Sequence, residues 1–166
     1  PPCLQDFHSV QDIESFSGRA RVERGKSLTA RLIIWLFRFP VGGNEIPLTV
    51  KVIRTSGGET WERSFAGHIL RSFCAPAISS QCYQERFGLF NFELNLVVEN
   101  NSMSMTVRRG WFLGLPIPEF LLPRSNSREY AEEGLFHFDI TLSAPLGTGL
   151  IVRYCGHLTP DRLPAS

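Results

Sequence analysis

The chain has 166 residues, of which 43% are hydrophobic and 20% are charged, and its formal net charge is +1. This length predicts a single domain over residues 1–166 that can bury a core without disulfides or metal ions. The near-neutral charge argues against a nucleic-acid-binding face, and no apolar run reaches the roughly 18 residues of a transmembrane helix.

The cysteines and histidines do not form a recognisable metal or redox motif. Cys3, Cys74, Cys82 and Cys155 include no Cys-x-x-Cys pair, and the four histidines include no His-x-His or HExxH spacing. We therefore expect reduced thiols, a cytoplasmic protein, and neither a metal nor a cofactor. A Cys74–Cys82 disulfide across a hairpin is the open alternative.

The first elements in chain order are a strand and a helix. Apolar residues alternate over 16–24, which predicts a strand, and Gly25 ends it. Ser27 is a suitable N-cap for a helix that runs to about Phe37. This helix is apolar nearly all round, so we expect it to be buried against the sheet, with a membrane-surface or partner-binding helix as the alternative.

The rest of the chain has the period-two pattern of strands, with turn signals such as Gly57-Gly58 between them. We predict strands over 48–55, 59–66, 69–75, 81–87, 90–99, 103–113, 127–132, 135–143 and 150–156, and a frayed tail over 159–166. Short connections favour antiparallel pairing, and closure removes exposed edges. The predicted fold is mainly β: a strongly curved antiparallel sheet or calycin-like barrel of about nine or ten strands, with one buried helix after the first strand.

Three charged residues occupy the apolar parity of their strands: Arg63, Glu85 and Arg109. Buried charges pair or bind an ion, because an isolated charge in a core costs several kcal/mol. One interpretation is an Arg63–Glu85 ion pair that fixes strand register. Another is a cavity in which arginine binds a carboxylate or phosphate and aromatic rings hold an apolar body. The third is that these side chains face solvent. The candidate ligand-binding residues are Trp61, Arg63, Tyr83, Glu85, Phe87, Arg109 and Trp111.

Two further segments, one apolar and one acidic, are candidates for interaction with a partner. The proline-punctuated stretch 115–123 is a candidate interaction loop, and its apolar residues are Leu115, Ile117, Phe120, Leu121 and Leu122. The acidic patch around Glu129 and Glu132 is expected to be the solvated face of an edge strand, with a partner-binding site as the alternative.

Several motifs together resemble the bacterial domain-of-unknown-function family 4166. They are FSGRARVERG at 16–25, ETWERSF at 59–65, ERFG at 85–88, GLPIPEFLLP at 114–123 and RYCGHL at 153–158. The resemblance covers nearly the whole chain and implies no assigned activity. It implies a position C-terminal to a saccharopine-dehydrogenase-like, nucleotide-binding region. A start at Pro1-Pro2 without Met agrees with that, and we expect a domain from a longer chain with its core over about 14–158.

These observations lead to three hypotheses. The preferred one is a non-enzymatic barrel-like accessory domain that binds a small amphipathic or lipid-like ligand in its concave interior. The alternative is an interaction domain that packs on an oxidoreductase-like neighbour through the helix and the 115–123 loop. The least favoured is an enzyme that uses Glu85 as a general acid or base, tuned by Arg63.

Overall fold

A computed structural model describes residues 12–77 and 82–161. These residues form one long helix, two short 3-10 turns at Glu119–Leu121 and Pro145–Gly147, and eleven strands. The helix is α1 (Leu28–Phe37). The strands are β1 (Ile13–Arg24), β2 (Gly43–Thr55), β3 (Gly58–Phe65), β4 (His68–Pro76), β5 (Cys82–Phe87), β6 (Phe90–Glu99), β7 (Ser102–Phe112), β8 (Leu115–Pro116), β9 (Arg124–Glu132), β10 (Leu135–Ser143) and β11 (Leu150–Pro160).

The strands close into a ten-stranded antiparallel barrel, and β8 pairs on the outside of this cycle with β7. Successive strands are neighbours from β1 to β7, β7 then pairs with β9, and β11 returns to pair with β1. The predicted fold class is therefore confirmed. Of its two alternatives, the structure has the closed barrel and not the open curved sheet. Closure pairs the edges that an open sheet of this length would expose.

The inward faces follow from the alternation in the sequence. On β2, Leu48, Val50 and Val52 are buried while the residues between them are exposed. The same parity on β10 buries Phe136 and Phe138. These side chains join one apolar cluster inside the barrel, and a second cluster around Phe92, Leu94, Met105 and Leu122 lies alongside it.

Helix α1 begins and ends at the predicted residues and closes one end of the barrel. The Ser27 hydroxyl accepts a hydrogen bond from the Ala30 amide at 3.1 Å, which satisfies one of the unpaired N–H groups of the first turn. Arg38 ends the helix in the left-handed conformation at φ 53°. The ring of Phe37 contacts Phe90 at 4.7 Å between centroids, so the last turn is pinned to the β5–β6 rim.

Two expectations about local structure need correction. Helix α1 is not buried all round: Ala30 and Ile34 are buried, but Leu28 and Trp35 are largely exposed. The predicted frayed tail is also wrong at its start, because Thr159 and Pro160 belong to β11 and pair with β1. Residues 162–166, and Gln81 at the predicted start of β5, lie outside the described residues.

The seam between β1 and β11 depends on two glycines. A Cβ atom on Gly18 would overlap the carbonyl oxygen of His157, and one on Gly156 would overlap that of Arg19. Both clashes are with backbone, which cannot move aside as a flexible side chain can. Glycine therefore permits the close approach of the two strands that complete the barrel.

We expect Gly156→Ala to lower the free energy of unfolding by about 1–3 kcal/mol, because the added methyl forces the seam strands apart. Urea denaturation followed by circular dichroism measures this change. Gly57→Ala is the matched control, since it sits in the β2–β3 turn and nothing lies within 4 Å of the point where its methyl group would be. Equal stability of the two variants would contradict the role assigned to the seam glycine.

Candidate functional site

The interior of the barrel contains a partly open cavity of about 790 Å³. It extends from Ile33 and Phe37 on α1 to Ser56 and Gly57 in the β2–β3 turn. Most of its wall is apolar, with side chains from nearly every strand of the barrel. Volumes of roughly 300–1,000 Å³ are typical of small-molecule sites, so the space is large enough for a lipid-sized molecule.

A hydrogen-bonded triad, Arg63–Ser72–Glu85, contributes two polar side chains, Arg63 and Glu85, to the wall. The Arg63 guanidinium donates from Nη1 to the Ser72 Oγ at 2.9 Å and from Nη2 to the Glu85 Oε1 at 3.2 Å. The Ser72 hydroxyl donates to the same Glu85 oxygen at 2.7 Å. The ion pair expected from the sequence is therefore formed, and it lies on the cavity wall. The ion pair and the cavity of the two sequence-based interpretations therefore occur together, while the binding of a carboxylate or phosphate by Arg63 stays a prediction.

Strand register explains why these three side chains meet. Arg63 on β3 lies opposite Leu70, and Ser72 is two residues further along β4 on the same face. Glu85 on β5 lies opposite Cys74, again two residues from Ser72. The triad thus runs diagonally across three neighbouring strands, at the separation that long side chains can span.

Burial and the charge of Glu85 determine the pKa of Arg63. The side chains of Arg63 and Glu85 are 17% and 10% exposed. Burial alone would lower the pKa of Arg63, but the Glu85 carboxylate more than offsets this and the pKa is raised overall. The guanidinium also lies over the Trp61 ring, with Cζ 5.1 Å from the centroid. The cation is therefore held in place by a carboxylate, a hydroxyl and an aromatic face.

Cys74 lines the cavity next to the triad. Burial, and then the negative charge of Glu85, raise the pKa of its thiol well above the ordinary value. The thiol therefore stays protonated at neutral pH, and a reactive cysteine requires the opposite shift. Cys74 does not have the electrostatic surroundings of a nucleophile.

The structure adds site residues that the sequence analysis missed, namely Ser72, Cys74, Glu129 and Tyr154. Glu129 is buried on the cavity wall, so its assignment to a solvated face was wrong. Its strand turns Ser125 and Ser127 inward with it, and an inner face made of serine and glutamate gives no apolar periodicity to detect. Tyr154 could have been found from the sequence, because it lies an even number of residues from Val152 and Leu158 on β11 and therefore on the same face of the strand.

Trp61, Tyr83 and Phe87 line the cavity as expected, but Arg109 and Trp111 do not. The β6–β7 register shifts between Glu93 and Leu94, so that one extra residue is accommodated in β7. Beyond this bulge the even-numbered positions of β7 face inward, beginning with Gly110, which packs against Phe92. Arg109 is therefore exposed, and the expectation that it faces inward was wrong.

The candidate interaction loop divides into two sets of side chains. Leu122 is buried, and Ile117 packs beside it against the second apolar cluster. Leu115, Phe120 and Leu121 are exposed. Only part of the loop therefore closes the barrel end, and the remainder presents an apolar surface.

The family model described as a domain of unknown function, DUF4166, matches residues 1–158. The chain belongs to the DUF4166 family. Comparisons with curated proteins and with solved structures gave no match. The resemblance seen in the sequence motifs is therefore confirmed, and the family gives no activity to assign to this DUF4166 domain.

Other features of the described residues bear on its chemistry. Cys74, Cys82 and Cys155 are free thiols, and Cys3 lies outside the described ranges. Within 12–77 and 82–161 no cluster of three or more His, Cys, Asp or Glu side chains could hold a metal ion. The same residues contain no helix whose length and apolar content would let it cross a membrane.

We expect Glu85→Leu to lower the free energy of unfolding by about 3 kcal/mol, because Arg63 is left as an unpaired buried charge. The double variant Arg63→Met/Glu85→Leu should recover part of this loss, so that the two changes are not additive. Urea denaturation of the four proteins measures the coupling.

The Glu62–Arg71 pair is the matched control, since it also includes a β3 residue but lies on the outer face, where it joins β3 to β4. Its arginine is 63% exposed, so the coupling there should stay below about 1 kcal/mol. Equal couplings for the inner and outer pairs would show that burial does not strengthen the Arg63–Glu85 interaction.

Tyr154 should make stability depend on alkaline pH. Burial, partly opposed by Arg63 and reinforced by Glu85, raises the pKa of its hydroxyl from 10.0 to about 12. Since the unfolded chain ionises first, this contribution to stability is complete below pH 10 and is lost as the pH rises to about 12. Denaturation at stepped pH should show a smaller alkaline loss for Tyr154→Phe than for wild type, and an identical profile would exclude the effect.

Proposed function

We propose that this DUF4166 domain is a non-enzymatic, cytoplasmic accessory domain that binds a small amphipathic or lipid-like molecule inside its barrel. The observation that carries the proposal is a large, mostly apolar cavity whose wall includes the Arg63–Glu85 pair, which Ser72 supports by hydrogen bonds. Ligand sites commonly combine apolar walls with a few convergent polar groups in this way. The free thiols of Cys74, Cys82 and Cys155 support a reducing compartment.

The apolar part of the ligand would lie among the rings and aliphatic side chains of the inner face. Phe37, Phe87 and Phe92 line the cavity near α1, and Leu94 and Met105 continue the apolar wall. Such a surface gains free energy when it excludes water in favour of hydrocarbon. An acyl chain or another slender apolar body matches this lining.

The polar part of the ligand would meet an ion pair rather than a lone guanidinium. Two N–H groups of Arg63 are used within the triad, and a guanidinium has five. In the described part of the chain, Glu85 accepts its side-chain hydrogen bonds on Oε1, which leaves Oε2 as an acceptor. A neutral head group that both donates and accepts hydrogen bonds suits this pair better than a free carboxylate, because the charge of Arg63 is already compensated.

A second candidate function is an interaction domain that packs on a nucleotide-binding, oxidoreductase-like neighbour. The exposure of Leu115, Phe120 and Leu121 favours it, because clustered apolar side chains on a surface mark interaction sites. The two functions are compatible, since these side chains lie outside the cavity.

We expect the full chain to retain monoolein in native mass spectrometry and to bind it more tightly than oleate, which shares the acyl chain but has a charged carboxylate. Leu94→Trp should reduce retention at least about tenfold, since a larger ring at this cavity-lining position takes the space of the acyl chain. The measurement is the retained fraction across a titration of each lipid.

Thr49→Trp is the matched control, because Thr49 faces outward on β2 and adds the same ring to the outer surface. It should retain monoolein as wild type does. A wild-type chain that retains neither lipid, or equal retention by Leu94→Trp and Thr49→Trp, would exclude lipid binding in the barrel interior.

A further inference from the structure

One end of the barrel differs from the other in both its apolar surface and its charge. We call it the helix end, and it comprises residues 23–44, 64–69, 86–91, 111–125 and 142–151. These are α1 and the connections on its side, with two strand residues on each flank. The opposite end comprises residues 12–14, 54–59, 75–77, 82–83, 98–103, 131–136 and 159–161.

The exposed apolar side chains concentrate at the helix end. Of the 17 large apolar residues that the described chain exposes, 13 lie there. They are Leu28, Leu32, Trp35, Leu36, Val41, Ile69, Leu89, Phe112, Leu113, Leu115, Phe120, Leu121 and Leu146. Scattered exposed apolar residues are normal in soluble proteins, but a set gathered at one end indicates a docking surface.

Helix α1 presents the most exposed part of this surface. Leu28, Leu32 and Trp35 are 82%, 62% and 74% exposed, and Leu36 beside them is 50% exposed. Their spacing puts them on one face of the helix, while Ile33 and Phe37 turn inward to the cavity. The helix is therefore apolar on the face that packs on the barrel and on the face that points away from it.

The charged residues also differ between the two ends of the barrel. The helix end carries six basic residues, Arg24, Lys26, Arg31, Arg38, Arg86 and Arg124, and two acidic ones, Glu23 and Glu119. The opposite end carries one basic residue, Arg54, and seven acidic ones, Asp12, Glu14, Glu59, Glu99, Glu132, Glu133 and Asp161. Although the net charge of the chain is only +1, the domain is strongly polarised from end to end.

We propose that the helix end docks on an anionic lipid bilayer, with Leu28, Leu32, Trp35 and Leu36 inserted among the head groups and upper acyl chains. An anionic bilayer matches both the basic charge and the exposed apolar side chains of the helix end, because lipid phosphates attract the basic residues while hydrocarbon receives the apolar ones. Tryptophan is enriched at this depth of a membrane, and arginine and lysine stems reach from it to the phosphates. The acidic opposite end would be repelled by the same surface, so the barrel is also oriented.

The bilayer accounts for these residues better than a protein partner does. The exposed apolar side chains come from five separate connections around the barrel end, and the charges among them are mostly of one sign. A fluid anionic surface can contact all of them at once without a matching shape. This docking does not depend on what the cavity binds.

The test is co-sedimentation of the full chain with vesicles of phosphatidylcholine containing phosphatidylglycerol, compared with vesicles of phosphatidylcholine alone. We expect binding to the anionic vesicles, weakening as salt concentration rises, with quenching of tryptophan fluorescence by brominated lipid. The double variant Leu32→Ser/Trp35→Ser should lower the partition coefficient at least about tenfold, since removal of one large side chain from water alone can supply that factor. Lys26→Glu/Arg31→Glu should lower it mainly on the anionic vesicles.

Val98→Ser and Lys51→Glu are the matched controls, because both residues are exposed and lie away from the helix end. They should bind vesicles as wild type does. Failure of wild type to bind anionic vesicles, or undiminished binding by the Leu32→Ser/Trp35→Ser variant, would overturn the proposal. Self-association that this variant abolishes, seen by sedimentation velocity with no vesicle binding, would identify a protein interface instead.

Discussion

Closure of the sheet along the β1–β11 seam is the constraint on which the rest of the molecule depends. If those strands did not pair, the inner faces would belong to an open sheet and would have no enclosed space between them. Gly18 and Gly156 let the two backbones approach at the seam. The cavity, the position of α1 at its end and the burial of Arg63 all follow from this closure. The sequence separation of the paired strands means that the whole chain contributes to it.

Arg63 and Glu85 are compatible with this core because they are paired with each other. Arg63, Ser72 and Glu85 satisfy one another by hydrogen bonds beside a mostly apolar space. A buried ion pair adds little net stability compared with well-packed apolar residues. The pair thus contributes a fixed polar group to the cavity rather than net stability, and the proposed function depends on that polar group.

Alternation predicted most of the architecture, and its failures have physical causes. Trp61, Arg63, Tyr83, Glu85 and Phe87 were placed correctly on inner faces because their strands keep an unbroken period of two. At β7 a bulge reverses parity, and a single sequence does not show where an extra residue enters a strand pair.

Two other elements were ambiguous for different reasons. The inner face of β9 is built from small polar residues and glutamate, so it looks like a solvated edge in the sequence. Helix α1 is apolar on two faces, and composition alone does not say that only one of them packs on the barrel. In each case the tertiary neighbours decide, and the triad could be located only when strand register brought its three members together.

The course of the chain through the barrel has a consequence for the helix end. Asp12 and Asp161 both lie at the acidic end, where the Asp161 amide donates to the Ser15 carbonyl at 2.8 Å. Both ends of the described chain therefore lie at the end of the barrel opposite α1. The helix end is thus built entirely from connections internal to the described chain, and neither end of that chain interrupts its exposed apolar surface.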